Sequence, residues 1–305
     1  MPDRLSRRDW LRRVSGPVAA GAVAAGGAAG VAAAEDFDIC IIGSGFAGTF
    51  LGLRLVERGI RTVMIEAGPW LGPDADPDGD TSLFPSRSTG DYAFPIDATR
   101  TIGVGGTSRK WNGVVTRLLP SDSRARSASG VFADWPIAYD ALADYYCTAE
   151  QAMHASGGPV GHGAEPERTC AYPTQSATYT SPAPLFPSQS LAFFPLPFGR
   201  RGGTPLRLDQ EEVPRFAAAP SATFLPEHPA AALVMNGSNR LDAVEVRRRS
   251  GARTRIRARY FVVAAGVMET ARLLLTSRSG AFPDGIGNTH GRSAAGSTRI
   301  RAIAS

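Results

Sequence analysis

Residues 36–68, DFDICIIGSGFAGTFLGLRLVERGIRTVMIEAG, restrict the fold of this chain more than any other stretch. Phe37–Ile42 is almost wholly apolar, the mark of a parallel strand covered on both faces. It runs into Gly43-Ser44-Gly45-Phe46-Ala47-Gly48, a G-x-G-x-x-G turn. Gly43 permits the tight turn, Gly45 lets the backbone close on a pyrophosphate, and Gly48 lets the next helix pack on the strand. That helix places Ala47, Phe50, Leu51, Leu55 and Val56 on one stripe, and Gly59 is a left-handed stop for it. The chain returns through Thr62–Ile65 to Glu66-Ala67, with the acid at about the twenty-residue offset where a carboxylate reaches a ribose hydroxyl. A glycine-rich turn alone is most often structural. Strand, glycines, helix, stop, strand and acid in this order predict a βαβ unit with a dinucleotide on the helix N-terminus, NAD and FAD being equally served.

At 305 residues the chain has room for one large domain or two ordinary ones. Its 43% hydrophobic and 20% charged residues are those of a globular protein. Of the formal charge of +5, residues 1–34 hold five Arg against two Asp, or +3, leaving +2 for the rest. That is too little to argue for a nucleic-acid partner. Lys110 is the only lysine, an arginine preference that reads as composition rather than function. Cys40, Cys147 and Cys170 show no metal-ligand spacing. Cys40 reads as a small buried hydrophobe, and a Cys147–Cys170 disulfide is open to a chain outside the cytosol.

Ser6-Arg7-Arg8-Asp9-Trp10-Leu11-Arg12-Arg13, a mild Ala/Gly/Val stretch and Ala32-Ala33-Ala34 resemble a twin-arginine export signal over residues 1–34. Val14–Ala34 is about long enough to span a bilayer, but Ala and Gly contribute little transfer energy. A removed signal, a periplasmic or secreted product and no stable membrane span in the mature chain are therefore expected.

Residues 69–92 read as a surface loop. A second glycine turn follows, Arg100-Thr101-Ile102-Gly103-Val104-Gly105-Gly106-Thr107-Ser108-Arg109-Lys110-Trp111-Asn112-Gly113, able to press backbone N–H groups against a flat polar ring. Leu142, Tyr145, Ala149 and Met153 form one helical face, read as core. Residues 155–221 are rich in Pro, Ser and Gly, show no regular period, and include an aromatic patch at Phe193, Phe194 and Phe198. Arg200-Arg201 and Glu211-Glu212 read there as solvated charges. Regular structure is expected from Ala222, with a hairpin of Leu241–Arg247 and Arg253–Tyr260 about Ser250-Gly251. Tyr260–Ala264 then forms an apolar strand whose end, Ala264-Ala265-Gly266, brings bare backbone to the first glycine turn. A helix bearing Leu273, Leu274 and Leu275 covers the sheet.

These motifs, with the Asp134–Tyr146 segment and Gly285-Ile286-Gly287-Asn288, resemble the glucose-methanol-choline (GMC) flavin oxidoreductases over residues 36–150 and 222–291. The resemblance implies an α/β fold: a three-layer, Rossmann-like FAD-binding domain from residues 35–122 and 222–278, with an incomplete α+β substrate domain over 123–221 and an atypical tail at 279–305. It implies that Gly43, Ser44, Gly45, Phe46, Ala47, Gly48, Glu66 and Ala67 hold the ADP half of FAD. Gly105, Gly106, Thr107, Ser108, Trp111, Asn112 and Gly113 would hold the flavin half, with Ala265 and Gly266 beside them. Some members bind FAD covalently through a His just before the Trp; Lys110 stands there, so the resemblance implies non-covalent FAD.

Such enzymes pass a hydride from an alcohol or sugar CH–OH to flavin N5 while a base takes the hydroxyl proton. A quinone or a cytochrome is a candidate to take the electrons onward, oxygen being the alternative, and the sequence does not choose among them. The family's proton-taking His and its His or Asn partner belong to a C-terminal half that this sequence does not show, and the pattern stops near Gly291. His154, His162, His228 and His290 match no motif, so no catalytic residue is assigned. Two alternatives stay open: a catalytically incompetent FAD-binding remnant of a truncated chain, and, less well matched, an NAD-dependent dehydrogenase.

Overall fold

The computed structural model describes residues 37–72, 99–131, 133–158, 166–175, 196–248, 250–289 and 291. The export signal, His162, His290, Phe193, Phe194 and most of the 69–92 loop lie outside them. In chain order the elements begin with β1 (Phe37–Ile42), α1 (Phe46–Val56) and β2 (Thr62–Ile65). A 3-10 turn at Gly106–Arg109 precedes α2 (Ala125–Ser129), α3 (Ala143–Ala152), β3 (Ala155–Gly157), β4 (Thr174–Gln175), β5 (Phe198–Arg201) and β6 (Thr204–Pro205). The rest is α4 (Glu212–Ala217), β7 (Ala222–Leu225), β8 (Ala230–Met235), β9 (Leu241–Arg247), β10 (Arg253–Val263) and α5 (Gly266–Thr276). Two compact units result, one made of the chain up to Lys110 and from Leu208 onward, the other of Trp111–Arg207. The changeovers thus fall after 110 and 207, whereas the sequence pattern places them after 122 and 221.

The first unit carries a sheet of order β7-β2-β1-β10-β9-β8. β7, β2, β1 and the C-terminal part of β10 run parallel. β10 is long enough to serve twice, since Arg253–Arg257 pair antiparallel with β9 while Ala258–Val263 pair parallel with β1. β1 lies inside the sheet, which is why its sequence is apolar rather than alternating. Its side chains still divide by parity, because successive residues of a strand face opposite ways. Ile39 and Ile41 join Leu53, Leu55 and Phe216 in one buried cluster, under α1 and α4. Cys40 and Ile42 join Val63, Ile65, Val244, Val246, Ile256 and Leu273 in the other, under the β8–β10 meander and α5. Helices, sheet and meander make the three layers of this α/β unit. Cys40 is fully buried, and burial pushes its thiol up to about 12.

The α1 stripe differs from the sequence expectation at one end. Ala47 is exposed, and the buried residues are Gly48, Thr49, Gly52, Leu53, Leu55 and Val56. The helix lies so close to its neighbours that glycine is needed on the inner face: a Cβ on Gly52 would stand 2.7 Å from the Met64 methyl. Gly59 adopts φ +70° and stops the helix as expected. Residues 155–221 are more regular than their composition suggests, holding β3, β4, β5, β6 and α4. Glu212, expected to be solvated, is 1% exposed in the first turn of α4 beside buried Val213 and Phe216.

In the second unit the sheet order is β4-β3-β5-β6. The face of α3 expected to be core is not: Tyr145 is 52% exposed, and the one buried residue of the helix is Glu150. A carboxylate accepts burial only when charge and hydrogen bonds replace water. Arg117 donates to both Glu150 oxygens at 2.8 and 2.9 Å, and Arg168 donates to both at 2.9 and 2.5 Å. Cys147 and Cys170 are joined beside this triad, the Arg117 guanidinium lying 3.5 Å from each sulfur.

Candidate functional site

The site is assembled at one edge of the first unit's sheet. Parallel strands present their C-terminal ends together, and in open α/β sheets ligands bind in the crevice outside those ends. Here Gly43 follows β1, Glu66 follows β2, Pro226 follows β7 and Ala264 follows β10. Gly43 adopts φ +106°, and a Cβ there would lie 2.6 Å from the Ala264 carbonyl oxygen. Ala264-Ala265-Gly266 therefore abuts the first glycine turn, as the sequence predicts. A Cβ on Gly48 would come within 2.0 Å of the Gly43 carbonyl oxygen, so the start of α1 can close on the strand only at glycine.

Gly45 differs from these two. It is the N-cap of α1, no side chain caps the helix, and a Cβ on it would meet no atom within 4 Å. A helix N-terminus presents N–H groups and the positive end of a dipole, and the space over Gly45 leaves that end accessible to an anion. Phe46 is half-buried and Ala47 exposed on the same first turn. Gly266, with φ +77°, is likewise free of neighbours around its Cβ position.

The second glycine turn docks on the first across 61 residues of sequence: the Gly105 N–H donates to Ser44 Oγ at 3.0 Å. Gly105 and Gly106 take φ +84° and +55°, and a Cβ on Gly106 would stand 3.3 Å from Gly45 Cα. Ser108 secures the other end of the turn, donating to the Gly105 carbonyl and accepting from the Leu208 N–H at 2.8 and 3.2 Å. Thr107 lies half-buried within it. Gly43–Gly48, Gly105–Ser108 and Ala265-Gly266 thus belong to one compact unit. Trp111, Asn112 and Gly113 belong to the other, where Trp111 Nε1 donates to the Leu206 carbonyl at 2.7 Å and the Gly199 N–H donates to the Gly113 carbonyl at 2.7 Å. Asn112 is exposed, and its Oδ1 accepts from the Val114 N–H.

Glu66 turns its carboxylate into this edge. Oε2 accepts from the Ser44 N–H at 3.0 Å and from Ser44 Oγ at 2.7 Å, and Oε1 accepts from the Gly68 N–H at 3.1 Å. A carboxylate has about four acceptor sites, so the chain's own donors take most of that capacity. Burial pushes the Glu66 carboxyl above its ordinary value, against the hydrogen bonds from Ser44, Gly68 and Ala67 that favour its ionised form. Ala67 itself is half-buried at the mouth of this turn.

Three residues at this edge carry no local signal. Thr49 Oγ1 donates to the Ser44 carbonyl at 2.7 Å, bracing the turn from the helix. The His228 N–H donates to the Glu66 carbonyl at 2.8 Å, and its ring Nδ1 lies 2.6 Å from the Pro226 carbonyl. Asp209 is ion-paired with Arg109, both buried, and its backbone nitrogen lies 2.9 Å from the Gly105 Cβ position. The His228–Glu66 and Asp209–Arg109 contacts join segments distant in sequence, so no periodicity records them. Among the described residues no cluster of His, Cys, Asp and Glu has the arrangement of a metal site.

No family model matches the chain. It is 29% identical over 297 residues to paromamine 6'-oxidase of Streptomyces fradiae, covering 84% of this chain and 52% of that protein. It is 26% identical over 301 residues to 2-methyl-1,2-propanediol dehydrogenase of Mycolicibacterium austroafricanum, covering 85% and 54%. The chain thus spans about half the length of the curated relatives it matches. Among solved structures, pyridoxine 4-oxidase from Mesorbium loti superposes with a TM-score of 0.56 at 23% identity, over 79% of this chain and 52% of that one. That likeness is one of fold.

Proposed function

We infer, from the kinship of this chain with the FAD oxidoreductases of the glucose-methanol-choline family, that it is the nucleotide-binding part of such an oxidoreductase and that it holds FAD without a covalent link. The observation that carries the reading is the convergence of Gly43–Gly48, Gly105–Ser108 and Ala265-Gly266 at one sheet edge, with open space over the uncapped start of α1. The residues present fit the group. The α1 N-terminus at Gly45 takes the diphosphate, Glu66 at the end of β2 stands at the position from which an acid reaches a ribose hydroxyl, and the backbone of Gly105–Ser108 faces the remainder. Trp111, Asn112 and Gly113 are the further contacts that the family resemblance assigns.

FAD, when bound, supplies the hydride acceptor for oxidation of an alcohol or sugar CH–OH, with a quinone or cytochrome as the onward partner. The chain's own part is to bind and orient. Gly45 admits the anion, Gly43 and Gly48 hold strand and helix together beneath it, and Glu66 stiffens the turn. The relatives named as an oxidase and a diol dehydrogenase support this substrate class. Export to the periplasm or beyond is part of the same proposal, supported by the Cys147–Cys170 disulfide, since such bonds persist in oxidising compartments. No described helix is long and apolar enough to cross a membrane.

A second reading, FAD binding without turnover, is favoured by the histidines. Of the two described, His154 Nε2 lies 2.7 Å from Arg201 Nη2, and His228 Nδ1 is engaged by the Pro226 carbonyl. Neither stands out as the base that alcohol oxidation needs.

The purified, folded protein is expected to be yellow and to release flavin absorbance on denaturation. A folded but colourless protein that takes up no added FAD overturns the reading. Dye-linked turnover on a panel of alcohols and aldoses separates the two forms of it: absence of turnover in a flavin-loaded chain selects the second.

A further inference from the structure

We propose that Ser44 is a positioning residue, its buried hydroxyl coupling the two glycine turns so that the grips on the two halves of a flavin dinucleotide form as one. The proposal rests on the flavin-binding reading above. Within the glycine motif Ser44 occupies the open x of G-x-G, a position whose side chain the motif leaves unspecified. In the structure its hydroxyl is fully buried and faces protein rather than the space over Gly45. It donates its one proton to Glu66 Oε2 at 2.7 Å and accepts the Gly105 N–H at 3.0 Å. A relay therefore runs from the second turn, through one oxygen, to the acid that closes β2. One residue further along the turns run close, since a Cβ on Gly106 would stand 3.3 Å from Gly45 Cα.

The chemistry restricts what can stand at this position. Alanine and glycine keep the Ser44 N–H bond to Glu66 but offer the Gly105 N–H no acceptor, and a buried donor without an acceptor is costly. The first turn keeps Gly43, Gly45, Gly48 and Thr49 in such a variant, so the diphosphate grip persists. What is lost is the tether that holds Gly105–Ser108 against it, together with the hydroxyl's own bond to Glu66 Oε2. The effect is therefore largest for a ligand long enough to reach both turns.

The test titrates apo protein, wild type and Ser44→Ala, with ADP and with FAD by calorimetry. The wild type is expected to bind FAD more tightly than ADP. In Ser44→Ala, FAD binding weakens about 10- to 100-fold, the range set by one unsatisfied buried donor, while ADP, which senses only the lost bond to Glu66, weakens by a clearly smaller factor. Amide exchange adds a readout that needs no ligand: the Gly105 N–H loses protection in the variant and the β1 amides do not. Ser44→Thr, which keeps the hydroxyl, restores both. Equal weakening of ADP and FAD, or unchanged FAD binding with a still protected Gly105 amide, overturns the coupling. A wild type that binds neither ligand overturns the flavin reading, and the coupling with it. If Ser44→Ala does not fold, Ser44→Cys, with similar volume and a poor acceptor, takes its place under the same criteria.

Discussion

In the first unit the innermost side chains are aliphatic: Ile39, Ile41, Val63, Met64 and Ile65 on two parallel strands are 1% exposed or less. In the second unit the most buried side chain of the principal helix is Glu150, flanked by Arg117 and Arg168, each 1–3% exposed at the side chain, with a disulfide beside them. Among its described residues the buried apolar ones are Tyr139, Ala155, Tyr172 and Leu206. The first unit is stabilised by the removal of apolar surface from water, which tolerates much variation in geometry. The second relies on charges whose desolvation must be matched by well-aligned partners. The Arg168 guanidinium 3.5 Å from the Tyr172 ring centroid belongs to the same design, a cation shielded by an aromatic face rather than by water.

The sharpest way to break this comparison is Glu150→Ala. It leaves two buried guanidiniums facing each other and should cost about 3–5 kcal/mol, the penalty for removing one partner of a buried pair. Amide exchange should accelerate in β3 and stay unchanged in β1; equal acceleration in both would show that the units share one core. Replacing Glu150, Arg117 and Arg168 together by apolar residues of similar volume should recover much of that loss. Leu53→Ala makes the converse test. It deletes a residue 3% exposed between α1 and the sheet and should cost about 2–5 kcal/mol, with the exchange increase now in β1.

Reduction of Cys147–Cys170, which closes a sequence separation of 23, should cost about 2–4 kcal/mol. The loss should fall on the second unit, and a calorimetric transition unchanged by reductant would remove the disulfide from its list of supports. The smallest effect is one of sign. Burial raises the Glu66 carboxyl above 4.5, so the folded first unit holds that proton more tightly than the unfolded chain. Its contribution is fully present below 4.5 and is lost as pH rises through the raised value. At Glu150 burial acts upward too, but hydrogen bonds from Arg117 and Arg168 outweigh it and hold the carboxyl below 4.5. Its contribution is present above 4.5 and is lost as pH falls through the depressed value. Acidification through this range should therefore loosen β3 and tighten β1, measured as opposite changes in amide protection; changes of the same sign would contradict the assignment.

Much of the first unit is legible in the amino-acid sequence. β1, the Gly43–Gly48 turn, α1, Gly59, β2 and the β9–β10 hairpin follow from periodicity and turn chemistry, which act between near neighbours in the chain. The second unit is far less so. The face of α3 carrying Leu142, Tyr145, Ala149 and Met153 satisfies a helical apolar pattern, yet burial goes to Glu150 because Arg117 and Arg168, 33 and 18 residues away, converge on it. Glu212 departs from its solvated expectation for a related reason: its burial follows from where α4 packs, alongside Val213 and Phe216 in the first unit's core.

The candidate site divides in the same way. The sequence alone determined a strand, a glycine turn and an uncapped helix start, because each is set by the backbone preferences of adjacent residues. Tertiary structure alone decided that Gly105 would bond to Ser44 and that Glu66 would face the turn with most of its acceptor capacity taken. Those contacts join strands and turns far apart in the chain, and packing selects them only once the sheet has brought its parallel ends to one edge.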